Sequence, residues 1–312
     1  MDAVDVSVLL IAGRDGDVLQ QSLSHLEQQS YPAARFEVLV VDQGSSRAIS
    51  EILPRRIAGS PARMRIVPVS NSSITVARNV VLNGALGRWL LFLDLELLAG
   101  PRLVEQHVVA QHQHGGGCVV VGNVQRHPQS IDRRSVHHEA LTAGVPFVHN
   151  QPLRFLDWRY WNLSVPREAV VQNNGFDELC AVSGLEDVEL AWRLEQEGIQ
   201  GFYSEEATAY AWTRAPMDEE LARRYADGYS LWRVLDKTHS DILTNRYLGT
   251  GRRGASRAMN WLITPAYRQL CGSRAGRMLP VAWLCRKLSH HAVLQGYNDA
   301  RRGKPPRYRP QF

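Results

Sequence analysis

Two acidic pairs have the residue types from which metal-binding and proton-transfer sites are built. The first is Asp94 and Glu96, in the segment WLLFLDLELLAG. In an extended backbone, residues i and i+2 lie on one face, so these two carboxylates would approach a common cation. Oxygen ligands of this kind suit Mg²⁺ or Mn²⁺ held mainly through a substrate's phosphates. The alternative is that Asp94 caps a turn and Glu96 is an exposed loop residue.

The second pair is Glu186 and Asp187, in SGLEDVELAWRL. Ser183, three residues before Glu186, fits a capping box and predicts a helix that starts here, which by itself explains Glu186. The apolar Leu185 and Val188 mark the packed side of this helix, so Asp187 is expected at its exposed rim. A carboxylate at that place can take the proton of an attacking hydroxyl group.

The first third of the chain alternates short apolar runs with helix-period segments, which is typical of βαβ units. Strands are predicted at 6–12, 36–42, 64–69 and 88–94, and helices at 18–29, 74–86 and 102–113. The near-continuous apolar strands suit a mostly parallel sheet covered by helices on both faces. Two of these strands end in Asp42 and Asp94, and the carboxyl ends of parallel strands form the ligand crevice of such folds. For Asp42 the alternative is a cap of the turn DQGSS.

Arg78 lies in the predicted helix of the segment ITVARNVVLNGALG. This helix is expected to end at Gly84 or Gly87, after a cap at Ser72 or Ser73. A cation in the first turns of a helix opposes the helix dipole, so Arg78 must be explained by something outside its own helix.

Composition indicates a globular protein whose basic character is confined to one end. The chain has 312 residues, of which 44% are hydrophobic, and a net charge of +5. Residues 246–312 hold 14 Lys or Arg and a single acid, Asp299, which is a balance of +13 and leaves −8 for residues 1–245. The length allows one large domain or two ordinary ones.

Cysteine, histidine and hydropathy patterns exclude several classes of protein. The four cysteines have no C-x-x-C spacing, so neither a zinc knuckle nor a disulfide framework is predicted. The histidines of HVVAQHQH at 107, 112 and 114 are interpreted as the polar end of a helix rather than a metal site. The absence of a leader pattern or an 18-residue apolar run predicts a cytoplasmic protein, with any membrane contact peripheral to the inner face.

Five segments together resemble the family 2 glycosyltransferases with a GT-A fold. They are VSVLLIAGRD, FEVLVVDQGSS, ARNVVLNGALGRWLLFLDLE, NLSVPREAVVQNNGFDE and GLEDVELAWRL. The resemblance covers residues 5–215. It implies an inverting enzyme that transfers a sugar from a nucleotide diphosphate donor, taken to be a UDP-sugar, to a saccharide, lipid-linked or peptide acceptor.

The resemblance also implies roles for individual residues. Asp42 matches the family's acid that contacts the uridine, and Arg78 a basic residue that contacts the nucleotide. Asp94 and Glu96 occupy the D-x-D position, whose Mn²⁺ or Mg²⁺ bridges protein and diphosphate. Asp187 matches the general base.

In the same way Glu186 would orient the acceptor or the first helical turn, while Asn162 and the NNGFD loop with Asp177 would line the pocket. Two departures stand out: the first strand ends in AGRDG, and Trp212 stands where some relatives have a metal-binding His. These departures keep open a non-catalytic binding or scaffold protein. A nucleotidyltransferase is disfavoured because GRDGD lacks the lysine of a phosphate loop.

The catalytic domain is predicted at 1–215 and a helical basic region at 216–312. Asp227, Trp232, Lys237 and His239 of this region are candidate acceptor contacts, although a packed or solvated role explains each of them better. The segments AMNWLITPAYRQL and MLPVAWLCRKLSHHAVL mix apolar and basic residues. Such helices lie on an anionic membrane, or cover the catalytic domain or a second subunit of a homodimer. No recognition motif supports nucleic-acid binding.

Overall fold

A computed structural model describes residues 3–12, 16–42, 54, 58–69, 74–127, 147–158, 160–178, 185–212, 217–248 and 281–307. Its strands are β1 (Val6–Ala12), β2 (Phe36–Asp42), β3 (Arg63–Pro68), β4 (Trp89–Leu93), β5 (Leu97–Ala99), β6 (Val119–Arg126), β7 (Pro152–Leu153), β8 (Asn162–Pro166) and β9 (Gly201–Ala211). Its α-helices are α1 (Gly16–Glu27), α2 (Ile74–Gly84), α3 (Leu103–Gln113), α4 (Arg167–Gln172), α5 (Glu186–Gln196), α6 (Met217–Thr238), α7 (Asp241–Leu248) and α8 (Val281–Arg301).

The strands form one sheet in the order β3-β2-β1-β4-β8-β6-β9-β5, with β7 paired to β9. The first four of these strands are parallel, as predicted. Antiparallel pairs then join β8 to both β4 and β6, and β5 to β9. The sheet is therefore mixed, and its wholly parallel part is the half that carries the predicted crevice.

The predicted strands at 6–12 and 36–42 are confirmed, and α2 ends at Gly84, one of the two expected positions. The apolar strands are buried on both faces because successive side chains alternate between them. In β2, Leu39 and Val41 pack into one hydrophobic cluster, and Val38 and Val40 pack into the other.

The helices after residue 216 share the core of the sheet. Leu231 and Val234 of α6 and Val293 of α8 belong to the same buried cluster as Leu39. The two long helices touch at backbone distance, because a Cβ built on Gly228 would lie 1.9 Å from the Val293 carbonyl oxygen. The domain boundary between residues 215 and 216 stays a prediction.

Within the described residues, no helix combines the length and the apolar character that a bilayer crossing requires. The segment at 258–270 and the first part of the segment at 278–294, on which the membrane prediction rests, lie outside those residues.

Candidate active site

Asp42 and Asp94 lie at the carboxyl ends of strands that flank β1. Asp42 pairs in register with Ala12. Continuing the β1–β4 register, in which Phe92 pairs with Leu9, brings Asp94 beside Ile11. Two strand spacings separate the aspartates, which is about 10 Å. Asp42 and Asp94 thus lie at the same edge of the sheet, as expected. The rest of the turn DQGSS, after Asp42, lies outside the described residues.

The segment Asp94–Glu96 is a turn and not an extended strand, so the premise that placed the two carboxylates on one face is wrong. β4 ends at Leu93 because the Glu96 N–H donates to Asp94 Oδ1 at 2.9 Å and the Leu97 N–H donates to the Asp94 carbonyl at 3.0 Å. Asp94 therefore caps this turn, which was the alternative interpretation, while Glu96 is directed toward α6.

Asp94 and Glu96 supply two carboxylates from one short turn, so a Mg²⁺ or Mn²⁺ ion bound here would need a diphosphate to complete its coordination. No group of three His, Cys, Asp or Glu side chains that could enclose a metal occurs among the residues that the structure describes. Trp212, expected from the resemblance near the position of a metal-binding His, lies at this turn and donates its backbone N–H to the Glu96 carbonyl at 3.0 Å. An indole is not a metal ligand, so a cation here would depend on the substrate's oxygens.

Glu96 is paired with an arginine from the C-terminal helical region. Arg223 Nη2 of α6 lies 3.2 Å from Glu96 Oε1. The next residue, Arg224, pairs with Glu220 at 2.8 Å and with Asp227 at 3.2 Å, both in its own helix. Arg223 is therefore the residue through which this part of α6 is joined to the turn of Glu96.

Arg78 sits in an aromatic enclosure beside the same strand end. Its Nη1 lies 2.9 Å from Glu186 Oε1, with side-chain exposures of 12% and 6%. Its guanidinium carbon is 5.1 to 6.0 Å from the ring centroids of Phe92, Tyr160 and Phe176. This buried ion pair joins residues that are 108 positions apart in the sequence. It explains why a cation lies in the first turns of α2, where it opposes the helix dipole.

The helix of the acidic pair begins at Glu186, and its cap residue is Leu185, which makes no side-chain cap hydrogen bond. The capping-box prediction depends on Ser183, which lies outside the described part of the chain. The Glu186 carboxylate pairs with Arg78. Asp187 lies in the first turn and is partly exposed, as predicted, and its Oδ1 accepts the Val188 N–H at 2.8 Å.

The Asp187 carboxylate acts electrostatically on two other groups of the site, Tyr160 and Asp227. Burial raises the pKa of the Tyr160 hydroxyl above its ordinary range, and the Asp187 carboxylate raises it further. Burial raises the pKa of Asp227 to about 7; Arg224 opposes this shift, and Asp187 adds to it.

Asn162 belongs to the core. It is 1% exposed. Its Nδ2 donates to the carbonyls of Asn123 and Ala207 at 3.0 and 2.9 Å, and its Oδ1 lies 2.9 Å from His107 Nε2. A ligand would have to displace these partners, so we leave Asn162 out of the donor-binding residues proposed below. His107, interpreted as part of a polar helix end, is 1% exposed and is a member of this same network.

Residues of two helices, α2 and α6, hold the NNGFD loop in place. Asn79 of α2 accepts the Phe176 N–H at 2.8 Å and donates to the Phe176 carbonyl at 2.9 Å. Lys237 of α6 bridges Asp177 at 2.8 Å and the buried Glu189 at 2.6 Å. Lys237, a candidate acceptor contact, thus holds this loop. Trp232, another candidate, packs edge-on against the Tyr297 ring.

The sequence did not single out Tyr160, Phe176, Arg223 or Arg224. Tyr160, Phe176 and Arg223 act through partners far along the chain, which no local sequence pattern predicts. The first two complete the enclosure of Arg78, and Arg223 joins α6 to Glu96. Arg224 pairs with Glu220 and Asp227 of its own helix. Arg78 connects Glu186 with Phe92 of β4.

Comparison with known proteins shows which family the chain belongs to. The model of glycosyl transferase family 2 matches residues 7–171, just over half of the chain. The chain belongs to glycosyl transferase family 2. This finding confirms the resemblance on which the residue roles were based.

Two curated relatives illustrate the similarity. The uncharacterized glycosyltransferase YfnE of Bacillus subtilis is 29% identical over 241 residues, which are 62% of this chain and 61% of that protein. A validoxylamine A glucosyltransferase of Streptomyces hygroscopicus subsp. jinggangensis is 26% identical over 235 residues, which are 65% of this chain and 54% of that protein. The chain thus spans little more than half the length of these relatives.

Solved structures confirm the GT-A fold. The mannosyltransferase PcManGT from Pyrobaculum calidifontis, in complex with GDP-Man and Mn²⁺, aligns with a TM-score of 0.63 and 17% identity over 97% of this chain and 89% of that one. S. aureus TarS 1–349 in complex with UDP aligns with a TM-score of 0.54 and 15% identity over 97% of this chain and 93% of that one. At these identities the likeness concerns the fold alone.

Proposed function

We propose that this protein is an inverting glycosyltransferase that uses a nucleotide diphosphate sugar, with UDP as the nucleotide. The observation that carries the proposal is the turn of Asp94 and Glu96 at the end of β4, next to the Arg78–Glu186 pair, which connects Phe92 of β4 with the first turn of α5, where Asp187 lies. Mn²⁺ and UDP in the solved relatives support the choice of cation and nucleotide for this chain.

In the proposed reaction, Asp187 takes the proton of the acceptor hydroxyl as its oxygen attacks the anomeric carbon of the donor sugar. The bond to the diphosphate breaks on the opposite face of the sugar, and negative charge develops on the leaving phosphate. A divalent cation held by Asp94 and Glu96 would stabilise that charge as a Lewis acid. Glu186 fixes Arg78, and this pair orients the helix turn that carries Asp187.

Asp42, at the end of β2, is proposed to contact the base of the nucleotide, and Arg78 to face the nucleotide from the aromatic enclosure. The acceptor is proposed to be a saccharide, a lipid-linked molecule or a peptide, approached from the side of α6. A cytoplasmic location, peripheral membrane contact through the basic region and a homodimer remain proposals of the same kind.

The test is a comparison of Asp187→Asn with wild type. We expect Asp187→Asn to bind UDP-sugars with wild-type affinity in calorimetry and to transfer sugar about 10²- to 10⁴-fold more slowly, since a general base contributes on that scale. Glu168→Gln, on the exposed side of α4, is the matched control. Transfer that survives in Asp187→Asn contradicts the assignment of the base. Donor binding without transfer or hydrolysis of any nucleotide sugar by the wild type would favour the binding protein.

A further inference from the structure

The hydroxyl group of Tyr160 is buried without a hydrogen-bond partner. Tyr160 is 3% exposed, and within the part of the chain that the structure describes no atom pairs with its hydroxyl oxygen. The ring packs against Phe92 and Phe176, with centroids 4.9 and 5.6 Å away. A phenylalanine would make these apolar contacts without burying a polar group. The hydroxyl therefore lowers the stability of the folded protein, and its presence requires another explanation.

Contacts of the Tyr160 side chain lead from β4 to the first turn of α5. Phe92, which contacts one side of the ring, belongs to β4, and the Arg78 guanidinium carbon lies 5.9 Å from the ring centroid. Arg78 pairs with Glu186 at 2.9 Å, and Glu186 is the first residue of α5. Asp187, the proposed base, is the second residue of that helix. One arginine and its ion pair thus join the tyrosine to the turn that carries the base.

Among the charged groups that act on the Tyr160 hydroxyl, the Asp187 carboxylate has the largest effect. Burial raises the pKa of this hydroxyl above its ordinary value, and Asp187 raises it further. Arg78 and Arg193 lower that pKa by less, and Glu189 raises it least. The hydroxyl therefore keeps its proton at neutral pH and can donate a hydrogen bond to a carboxylate.

The Asp187 carboxylate is able to accept this hydrogen bond. An ionised carboxylate has about four lone-pair sites, so accepting the Val188 N–H at 2.8 Å does not prevent it from accepting a hydroxyl as well. Asp187 is partly exposed, so its side chain has room to turn. Hydrogen bonds of catalytic groups often tighten only when the substrate is bound.

Resting on the proposed function, we propose that Tyr160 is a positioning residue whose hydroxyl donates a hydrogen bond to the Asp187 carboxylate in the substrate complex. The bond holds one carboxylate oxygen, so that the other faces the acceptor hydroxyl. The substrate complex then supplies the partner that the Tyr160 hydroxyl lacks among its apolar neighbours.

The test compares full-length wild type, Tyr160→Phe and Tyr225→Phe in two assays. The first measures nucleotide release from saturating UDP-glucose, UDP-N-acetylglucosamine and GDP-mannose with Mn²⁺ across a range of pH, with water as the acceptor. The second measures urea unfolding without nucleotide sugar. Tyr225 is the matched control, since it is 1% exposed and its hydroxyl donates to Asp299 Oδ2 at 3.2 Å.

We expect Tyr160→Phe to lower kcat about tenfold, because the base loses its orientation, and to leave KM for the nucleotide sugar unchanged. The acidic limb of the kcat profile should move to higher pH by about one unit, because a hydrogen bond that favours the ionised base is lost. The urea midpoint of Tyr160→Phe should equal or exceed that of the wild type. Tyr225→Phe should show the reverse, with a lower midpoint and a wild-type kcat profile.

Either a wild-type kcat or an unmoved acidic limb in Tyr160→Phe overturns the inference and leaves the proposed function intact. The first result shows that the hydroxyl does not assist the reaction, and the second that it does not act through Asp187. A urea midpoint that falls as far as in Tyr225→Phe shows that the hydroxyl has a structural partner, and overturns the inference as well. If the wild type releases nucleotide from none of the three sugars, the proposed function itself fails and the inference falls with it.

Discussion

His107 gives the buried network around Asn162 a measurable dependence on pH. The two carbonyls that accept from Asn162 Nδ2 fix the orientation of that amide, so its Oδ1 faces His107 Nε2, which must carry the proton. His107 Nδ1 therefore accepts from the Ser164 hydroxyl at 3.0 Å, and Ser164 Oγ accepts in turn from Gln111 Nε2. Both partners of the ring are neutral, and burial lowers the pKa of His107 to about 4.

The magnitude follows from proton linkage. The unfolded chain takes up a proton near the ordinary pKa of about 6.5 and the folded chain does not, so the free energy of unfolding decreases as pH falls below that value. The contribution lost is about 2 kcal/mol at pH ~5 and about 3 kcal/mol once the pH lies below the folded pKa. At neutral pH, where neither state is protonated, this contribution is fully present.

The assay is urea unfolding of wild type and His107→Gln across this pH range, followed by tryptophan fluorescence. The raised pKa of Asp227 works in the opposite direction, since its folded form retains a proton that the unfolded form loses between about pH 4 and 7. The difference between wild type and His107→Gln cancels that contribution and isolates His107. His112→Gln, at an exposed position of the same helix, is the control. A difference between wild type and His107→Gln that does not change with pH would refute the reasoning.

Three further predictions concern the framework of the site. A Cβ on Gly296 would lie 1.9 Å from a backbone oxygen of α6. Gly296→Ala should therefore lower the free energy of unfolding, measured in urea, by about 1–3 kcal/mol. Gly84→Ala is the control and should leave that free energy unchanged, because the space around Gly84 is open. Arg78→Met leaves the Glu186 carboxylate buried without its cation and should cost about 3–5 kcal/mol in the same assay; a loss under about 1 kcal/mol would contradict the pairing. Lys237→Met should speed amide exchange in the 173–177 loop, and unchanged exchange would show that other contacts hold it.

The sequence predicted the features that depend on local pattern. The apolar runs of β1 and β2 specify buried parallel strands, and their termini specify the edge where Asp42 and Asp94 lie. For Asp94–Glu96 the sequence left a strand and a turn as alternatives because D-x-E is compatible with both, and the hydrogen bond from the Glu96 N–H decides for the turn.

Features that depend on distant partners were not accessible from the sequence. Ser183 and Glu186 have the spacing of a capping box, yet the Glu186 carboxylate is committed to Arg78, which reaches it from α2. Asn162 lies in a motif whose relatives suggest a ligand contact, but two carbonyls and His107 enclose it here. In each case the tertiary contact outweighs the local preference.

The central claim is that the acids at this strand end hold the diphosphate of a nucleotide sugar through a divalent cation. The most direct test is calorimetric titration of UDP into wild type and Asp94→Asn, each with and without Mn²⁺. We predict that Mn²⁺ strengthens UDP binding to the wild type and does not strengthen it in Asp94→Asn. Equal affinities of both proteins for UDP, with no effect of Mn²⁺ on either, would contradict the account.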